Sequence, residues 1–520
     1  MRNRVREAAA HSAAIALAMS LSICANAQNV ELPAPDGRIV IPSSSIVRAE
    51  DIAAGRAHTN IVVYIHPDNT QPGPTFETPA SIACVYRLVP PVSGCPISGA
   101  TTNPSGGSGA IALVEAYDYP TAANDLAVFS SQFGLPAANL SIVWATGTQP
   151  PLDPFQGQWD AEQALDIEWA HAMAPKAKIF LVQAASQSLS DLLMAEQVAS
   201  QLVAAAGGGD VSNSWGYSEQ GSYTPDDSNF TTPGIVYFAS SGDVAFSLNY
   251  PSVSPNVIAA GGTSLQRNSS GDFTGETYWD NIYGGGGGGL SLTESRPSYQ
   301  NVIASIVGTH RGVPDISSDA DPLTGVAVYD STPLFGSVPG WFQIGGTSVS
   351  SPTLAGIANA AAAADTAAAL SEIYTDYGNH SEYSAEYRDI TLGNSNCKVG
   401  WDICTGVGSP LAYTALAAPD FTLSLTPIWV SKFLVNGFKV SVGAAGGFQG
   451  TVKLSCHLTG FACSLNPTSI VRSGTSLMTG PRFITEWDGV TVKGTSGGLT
   501  HTVQFTYNPP PPPCDPKPCQ

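Results

Sequence analysis

One stretch of the chain, WFQIGGTSVSSPTLAGIANAA at residues 341–361, presents a serine in the manner of a nucleophile. An apolar run of strand character ends in Gly345-Gly346-Thr347, Ser348 follows, and an Ala-rich segment that reads as a helix begins. The expected arrangement sets Ser348 on the bend, beside the positive end of the helix dipole. Two glycines there let other backbone approach closely. Pro352 is expected in the first helical turn, where a missing N–H costs nothing. A plain Ser/Thr helix cap is the competing reading of the same residues.

A serine hydroxyl needs a base to become a nucleophile, usually histidine. The chain offers His58, His66, His171, His310, His380, His457 and His501 beyond its first residues. None stands in an HGTH-like turn, and no DTG-like strand end is present, so the signatures of a subtilisin triad are missing. The GTSxxxP pattern of Gly346 to Pro352 is nevertheless shared with subtilisins. His171 reads as a packed or surface residue. Carboxyl groups are the alternative bases. In DAEQALDIEWAHA, Glu162 and Asp166 are four residues apart and share one helix face, while Glu168 points almost oppositely to Asp166. Asp160 with Gln163 has the pattern of a capping box, a structural role. Glu162 also reads as an acid complementing the helix dipole, and Asp243, in Ser241-Gly242-Asp243 after an apolar strand, as an ordinary loop acid.

The elements that must position these groups alternate. GAIALVEAY, AKIFLVQA, DVSNSWG, GIVYFASSGD and NVIAAGG read as strands, and AANDLAVFSSQFG, DAEQALDIEWAHAMA and SLSDLLMAEQVASQLVAAA as helices. Such alternation predicts a mainly parallel sheet with helices on both faces, with functional residues at the carboxyl ends of strands. Residues 28–76 form a short, Pro-rich N-terminal segment with one strand at Ile61-Val62-Val63-Tyr64. The glycines from Gly284 to Gly289 read as a mobile loop. From 419 to 508 short apolar/polar alternations predict an antiparallel, Ig-like β-sandwich, and a Pro-rich tail occupies 509–520. The GGTS-like strings at Gly261–Ser264 and Ser473–Ser476 lack a following helix and read as structural.

At 520 residues, with 43% hydrophobic content, the chain has material for two or three domains. Charged residues make up only 12%, and the net charge of −20 leaves no basic nucleic-acid footprint. Residues 1–27, with a basic start, an apolar centre and Ala25-Asn26-Ala27, read as a secretory signal peptide; no other segment reads as a membrane span. Extracellular or periplasmic export is therefore expected. Of the nine cysteines, Cys24 would leave with the signal. The spacing of the others suggests local pairs: Cys84–Cys95, Cys397–Cys404, Cys456–Cys463 and Cys514–Cys519.

Taken together, the motifs resemble the sedolisin family of serine-carboxyl peptidases, with a kumamolisin-like catalytic domain over residues 77–418. They occur in family order: E-x-x-L-D at Glu162, Leu165 and Asp166; SxSWG from Ser212 to Gly216; SGD from Ser241 to Asp243; RGVPD from Arg311 to Asp315. GGTSxxxP from Gly345 to Pro352, RDIT from Arg388 to Thr391 and GWDxCTGxGSP from Gly400 to Pro410 follow. The resemblance implies a subtilisin-like α/β fold and a peptidase in which Ser348 attacks the scissile carbonyl. Glu162 would act as general base and acid, Asp166 would orient it, and Asp243 would face the oxyanion. Ser214, Trp215 and Gly216 would line the substrate channel, though Trp215 also reads as a core residue. One structural Ca2+ would be held by the Asp389 and Asp402 side chains and the carbonyls of Ile390, Lys398 and Gly400. Lys398 stands where the family often has glycine. The family's large N-terminal prodomain does not fit into residues 28–76. A peptide or protein substrate is implied, while the sandwich could contact a surface or polysaccharide. A catalytically impaired exported binding protein on the same fold and a His-dependent protease are the alternatives.

Overall fold

The computed structural model describes residues 28–97, 102–219 and 226–417 of a first unit. Of a second unit it describes 420–431, 434–445, 448, 450–458, 461–480, 490–497 and 499–505. The signal-like residues 1–27, the Cys514–Cys519 pair and the Pro-rich tail lie outside the described residues.

The first unit is built on an eight-stranded sheet. Asn139–Trp144, Lys178–Ala184, Ala110–Ala116, Gly209–Asn213, Ile235–Ser240 and Ile258–Arg267 run parallel in that spatial order. Ile258–Arg267 continues the sheet with Ile316–Asp319, parallel, and Phe273–Tyr278, antiparallel. Alternate residues divide between two cores. Ile111, Leu113, Ile179, Leu181, Val236 and Phe238 enter one, together with helices Gln158–Met173 and Thr347–Ala361. Ala112, Val114, Phe180, Val182, Tyr237 and Ala239 enter the other, against helix Leu189–Ala205. A sheet covered on both faces needs apolar residues on both, which is why its strands read as continuous apolar runs.

The N-terminal segment holds more structure than its composition suggests. Val30–Ala34, Gly37–Ile41 and Val62–Ile65 join Gly340–Gly345 and Val326–Asp330 in a five-stranded antiparallel sheet. Strand Asn139–Trp144 was not legible either: it is an edge strand with no fully buried residue, so its sequence NLSIVW lacks the apolar density of the central strands.

The glycine run corrects the expectation of a mobile loop. Gly285–Gly288 are buried. Their N–H groups donate to Asp243 O (3.0 Å), Trp279 O (3.0 Å), Gly242 O (2.7 Å) and Ser247 O (2.9 Å). A Cβ on Gly287 would lie 2.1 Å from Ser241 O, and one on Gly288 2.1 Å from Ile403 O. The glycines are there because backbone packs on backbone, and they fix the loop that carries Asp243.

The second unit contains two four-stranded antiparallel sheets. One holds Asp420–Ser431, Leu434–Ala445, Gly474–Thr479 and Ser464–Asn466; the other holds Ser469–Val471, Thr451–Leu458, Val490–Ser496 and Leu499–Phe505. Phe421, Phe438 and Val440 of the first share a core with Val452, Val490 and Val492 of the second. The disulfides Cys84–Cys95, Cys397–Cys404 and Cys456–Cys463 are formed.

Gly287→Ala is expected to lower unfolding free energy by about 1–3 kcal/mol, the usual range for overpacking. Gly275→Ala, which meets nothing within 4 Å, should be close to neutral. Equal denaturation midpoints for the two variants would contradict the packing account.

Candidate functional site

Gly346, with φ of 106°, turns the chain out of strand Gly340–Gly345 and into helix Thr347–Ala361. Ser348 is therefore inside the helix and not on the bend, and it is fully buried. Pro352 is also inside the helix, a turn beyond Ser348, and not in the first turn. Its missing N–H leaves the Ser348 carbonyl without a helical donor. Ser214 Oγ stands 3.5 Å from that carbonyl, and Ser348 Oγ donates to Ser214 O at 3.0 Å.

The acid helix, Gln158–Met173, is buried along its whole length. The expected capping box does not form. Gly157 is the N-cap, and Asp153 accepts from Trp159 N–H (3.0 Å). Asp160 instead accepts from Thr332 Oγ1 (3.1 Å), while Gln163 links Ala116 O and Gln183. This helix meets the serine helix so closely that a Cβ on Gly356 would be 2.5 Å from Met173 Cβ. The close approach brings Glu162 near the Ser348 hydroxyl, although that hydroxyl donates to Ser214 O and Glu162 Oε1 receives no hydrogen bond among the described residues. Glu162 Oε2 accepts from Asn60 N–H (3.2 Å). On the same helix face, Asp166 Oδ1 accepts from Ser214 Oγ (2.8 Å).

Sequence reasoning missed a third acid, Glu115. It is fully buried in strand Ala110–Ala116 and faces Asp166. Neither Glu115 oxygen receives a hydrogen bond from a hydroxyl or N–H group, and neither does Asp166 Oδ2. Burial of Glu115 beside the Asp166 and Glu162 charges favours its protonated form. The available signal was a lone charge in an otherwise apolar strand.

Asp243 approaches from the loop after strand Ile235–Ser240. Its Oδ1 accepts from Thr347 N–H (2.7 Å) and Thr347 Oγ1 (2.9 Å), and its Oδ2 has no partner. Ser214 is bonded to the serine, whereas Trp215 is fully buried in the core. Trp215 and Gly216 already pair with a strand of this chain, His58–Thr59. Among the described residues no histidine bonds Ser348. His171 takes Pro136 O (2.9 Å), His66 takes Gln343 (2.9 Å), and His58 contacts Thr59 O and Asn249.

Electrostatically the site is acid without counter-charge. Burial, then the Asp166 charge, raises Glu162 well above the usual carboxylate range, opposed by the Ser348 hydroxyl. Burial raises Asp166 as well, and burial followed by the Asp166 and Glu162 charges raises Glu115. Burial pushes Asp243 up to about 7 against the hydrogen bonds from Thr347. Three other buried acids are paired with arginine, in Arg311–Asp315, Arg267–Glu77 and Arg388–Glu276, whereas burial also raises Glu168, Glu196, Asp210, Asp319 and Asp330.

The second candidate site is the loop closed by Cys397–Cys404. Asp402 Oδ1 accepts from Cys404 N–H and Thr405 N–H (both 3.0 Å), and its Oδ2 from Lys398 N–H (2.5 Å). Asp389 Oδ2 accepts from Gly400 N–H (2.9 Å). Ile390 is buried beside the disulfide. Lys398 adopts an ordinary negative φ, so the replacement of glycine does not strain the loop, and its Nζ is engaged by Ser395 O (2.6 Å). The cysteine sulfurs are bonded to each other and are not thiolate ligands. The donors that remain are carboxylate and carbonyl oxygens, a set that suits a hard cation.

A serine at the start of a buried helix, on a parallel sheet covered on both faces, defines a subtilisin-like α/β peptidase fold. Within that class the chain is similar to sedolisins. No profile of a known protein family matches it. It is 28% identical over 352 residues to sedolisin from Pseudomonas sp. (strain 101), covering 60% of this chain and 58% of that protein. It is 29% identical over 386 residues to kumamolisin from Bacillus sp. (strain MN-32), covering 66% of this chain and 64% of that one. The chain thus spans less than two thirds of either relative. A solved structure of Pseudomonas sedolisin, a serine-carboxyl proteinase complexed with two molecules of pseudo-iodotyrostatin, superposes with a TM-score of 0.54. The identity is 25%, over 66% of this chain and 96% of that one.

The buried acids set how stability responds to pH. Their folded pKa values are raised, whereas in the unfolded chain they ionise near the ordinary value of about 4. The folded state therefore holds protons that the unfolded state releases, and stability falls as pH rises from about 4 through the folded values. Asp243 near 7 marks one such value. Thermal unfolding followed from pH 4 to pH 8 should show a declining Tm; a rising Tm would contradict the assignment.

Proposed function

We propose that the protein is an exported serine-carboxyl peptidase that hydrolyses peptide bonds in acid through an acyl-enzyme on Ser348. What supports this reading is the placement of Glu162 near the Ser348 hydroxyl, of Asp166 on Ser214 and of Asp243 on Thr347, with no histidine among the described residues bonded to Ser348. Glu162 takes the hydroxyl proton and later delivers it to the leaving amine. Asp166, tied to Ser214 and to Glu115, orients Glu162, and the buried acids titrate as one system. Asp243 acts in its protonated form: an ionised carboxylate would repel the developing oxyanion, whereas a protonated Oδ2 donates to it. Trp215 and Gly216 supply the strand edge along which substrate extends. Export agrees with the three disulfides in the described residues and with the leader-like start. No described helix is long and apolar enough to cross a membrane.

The domain reading is that residues 77–418 carry catalysis and that the second unit is an Ig-like sandwich contacting a surface or polysaccharide. The loop of Asp389, Ile390, Lys398, Gly400 and Asp402 is read as the place of one structural calcium ion, which would offset the charge of the two carboxylates there and stiffen the loop.

Hydrolysis of a peptide should follow a bell-shaped pH profile in the acid range, with Glu162 ionisation on one limb and loss of the Asp243 proton, near pH 7, on the other. Ser348→Ala should lower kcat by about 10^4-fold or more. Asp243→Asn keeps a donor at the Oδ2 position and should extend activity to higher pH. A wild-type rate that still climbs through neutral pH would sink the assignment.

Chelation of a calcium-loaded sample should lower Tm by a few degrees while the catalytic groups are left untouched. An unchanged melt would remove the calcium reading without affecting the peptidase one.

A further inference from the structure

Asp243 meets the serine helix through one oxygen. Helix Thr347–Ala361 starts from Gly346, which has no side chain to cap it. The first N–H groups of a helix lack partners within it and carry the positive end of its dipole. Asp243, from another loop, supplies the missing acceptor: Thr347 N–H donates to its Oδ1 at 2.7 Å. The Thr347 hydroxyl donates to the same oxygen at 2.9 Å. The direction of that hydroxyl is fixed from behind. Its oxygen accepts the Gly242 N–H at 3.0 Å, which leaves its single proton for Oδ1.

Two donors thus occupy Oδ1, while Oδ2 is out of contact with solvent and has no partner. A neutral carboxyl carries its proton on one of its oxygens. On Oδ1 that proton would stand against the Thr347 N–H and turn the hydroxyl proton away from its acceptor. On Oδ2 it displaces nothing. Oδ2 lies against the turn that leads to the nucleophile: a Cβ on Gly346 would be 2.7 Å from Oδ2 and 2.0 Å from the Asn60 carbonyl oxygen. That carbonyl accepts the Ser348 N–H at 3.1 Å. An oxygen standing there is close to both the Ser348 N–H and Oδ2, so a proton on Oδ2 is placed to act on it.

We infer that Thr347 is the positioning residue of the oxyanion site: with its N–H and its hydroxyl it holds Asp243 Oδ1 as an acceptor, and so assigns the carboxyl proton to Oδ2, the side that faces the substrate oxygen. The inference rests on the peptidase reading given above, and Thr347 acts through Asp243 without touching substrate. The same bonds leave a mark on titration. They favour the ionised carboxyl and oppose the burial that pushes Asp243 up to about 7. Loss of the hydroxyl raises that value further, so the Asp243 proton is lost at higher pH. Among the described residues no arginine, lysine or histidine bonds Asp243, and the acid that feels its charge is Glu162. Removing the hydroxyl therefore leaves more Asp243 protonated and the proton less well placed, so the rate falls while the alkaline limb moves up.

The test uses the full chain as wild type, Thr347→Val, which keeps the shape and loses the hydroxyl, and Thr347→Ser, which keeps the hydroxyl. Hydrolysis of one quenched fluorogenic peptide, chosen from a mixed library, is followed from pH 3 to pH 8, with circular dichroism as the check on folding. Thr347→Val should lower kcat about ten-fold with KM within about two-fold. Its alkaline limb should lie about one pH unit higher, the worth of one hydrogen bond to the ionised form. Thr347→Ser should keep the wild-type limb and a kcat within about two-fold. An unchanged kcat and limb in Thr347→Val overturn the inference. So does a Thr347→Ser as impaired as Thr347→Val, because the methyl group would then be what matters. If Thr347→Val does not fold at pH 4, Thr347→Ala is read in its place; two unfolded variants beside a folded Thr347→Ser give the hydroxyl a structural role and also overturn it. In all these cases hydrolysis by the wild type leaves the peptidase reading standing, whereas a wild type that cleaves no peptide overturns both.

Discussion

Removing an ionised carboxylate from water costs several kcal/mol unless a cation or a dense set of donors replaces the lost hydration. The centre of this protein holds Glu162, Asp166 and Glu115 fully buried and Asp243 half-buried, none of them in an ion pair among the described residues. The way to keep them there is to keep protons on them. Much of the architecture follows from that constraint. The acid helix is buried on every side, so its carboxyls cannot reach solvent. The donors they meet, Ser214 Oγ, Asn60 N–H and Thr347 N–H, are neutral and too few to hold all of them ionised. Asp315, by contrast, is buried against the Arg311 guanidinium.

The same constraint connects folding to chemistry. A buried carboxyl whose pKa is raised is a stronger base when ionised and still an acid when neutral, and a neutral carboxyl can donate a hydrogen bond where an ionised one could not. Placing Asp243 depends on backbone packing against backbone. The glycines from Gly285 to Gly288 hydrogen-bond the loop from Ser241 to Ser247 at distances no side chain would allow. The serine side of the site uses similar economy: Pro352 withholds one helical N–H, and the carbonyl of Ser348 turns to face Ser214.

Much of this was legible beforehand. The parallel strands announced themselves as apolar runs because a sheet covered on both faces has no polar side. Glu162 and Asp166 could be paired because a helix repeats every 3.6 residues. Ser348 and Asp243 stood at ends of strands, where such folds place their reactive groups. What misled was context. Asp160 has the residue type and spacing of a cap, yet Gly157 caps the helix and Asp160 turns to Thr332. A run of glycines has the composition of a flexible loop, and only its neighbours reveal that it is packed. Glu115 was passed over as part of a strand, since nothing near it in sequence points to Asp166.

The sequence by itself determined the element types and the subtilisin-like sheet, and it singled out Ser348, Glu162, Asp166 and Asp243 as candidates, because periodicity and motif spacing are local properties. Only the tertiary structure decided which acids are buried together, that the glycines are packed and that the Asn60 carbonyl meets the Ser348 N–H. Those depend on burial and on contacts between segments a hundred or more residues apart, and no local pattern records how much water a side chain loses when the chain closes around it.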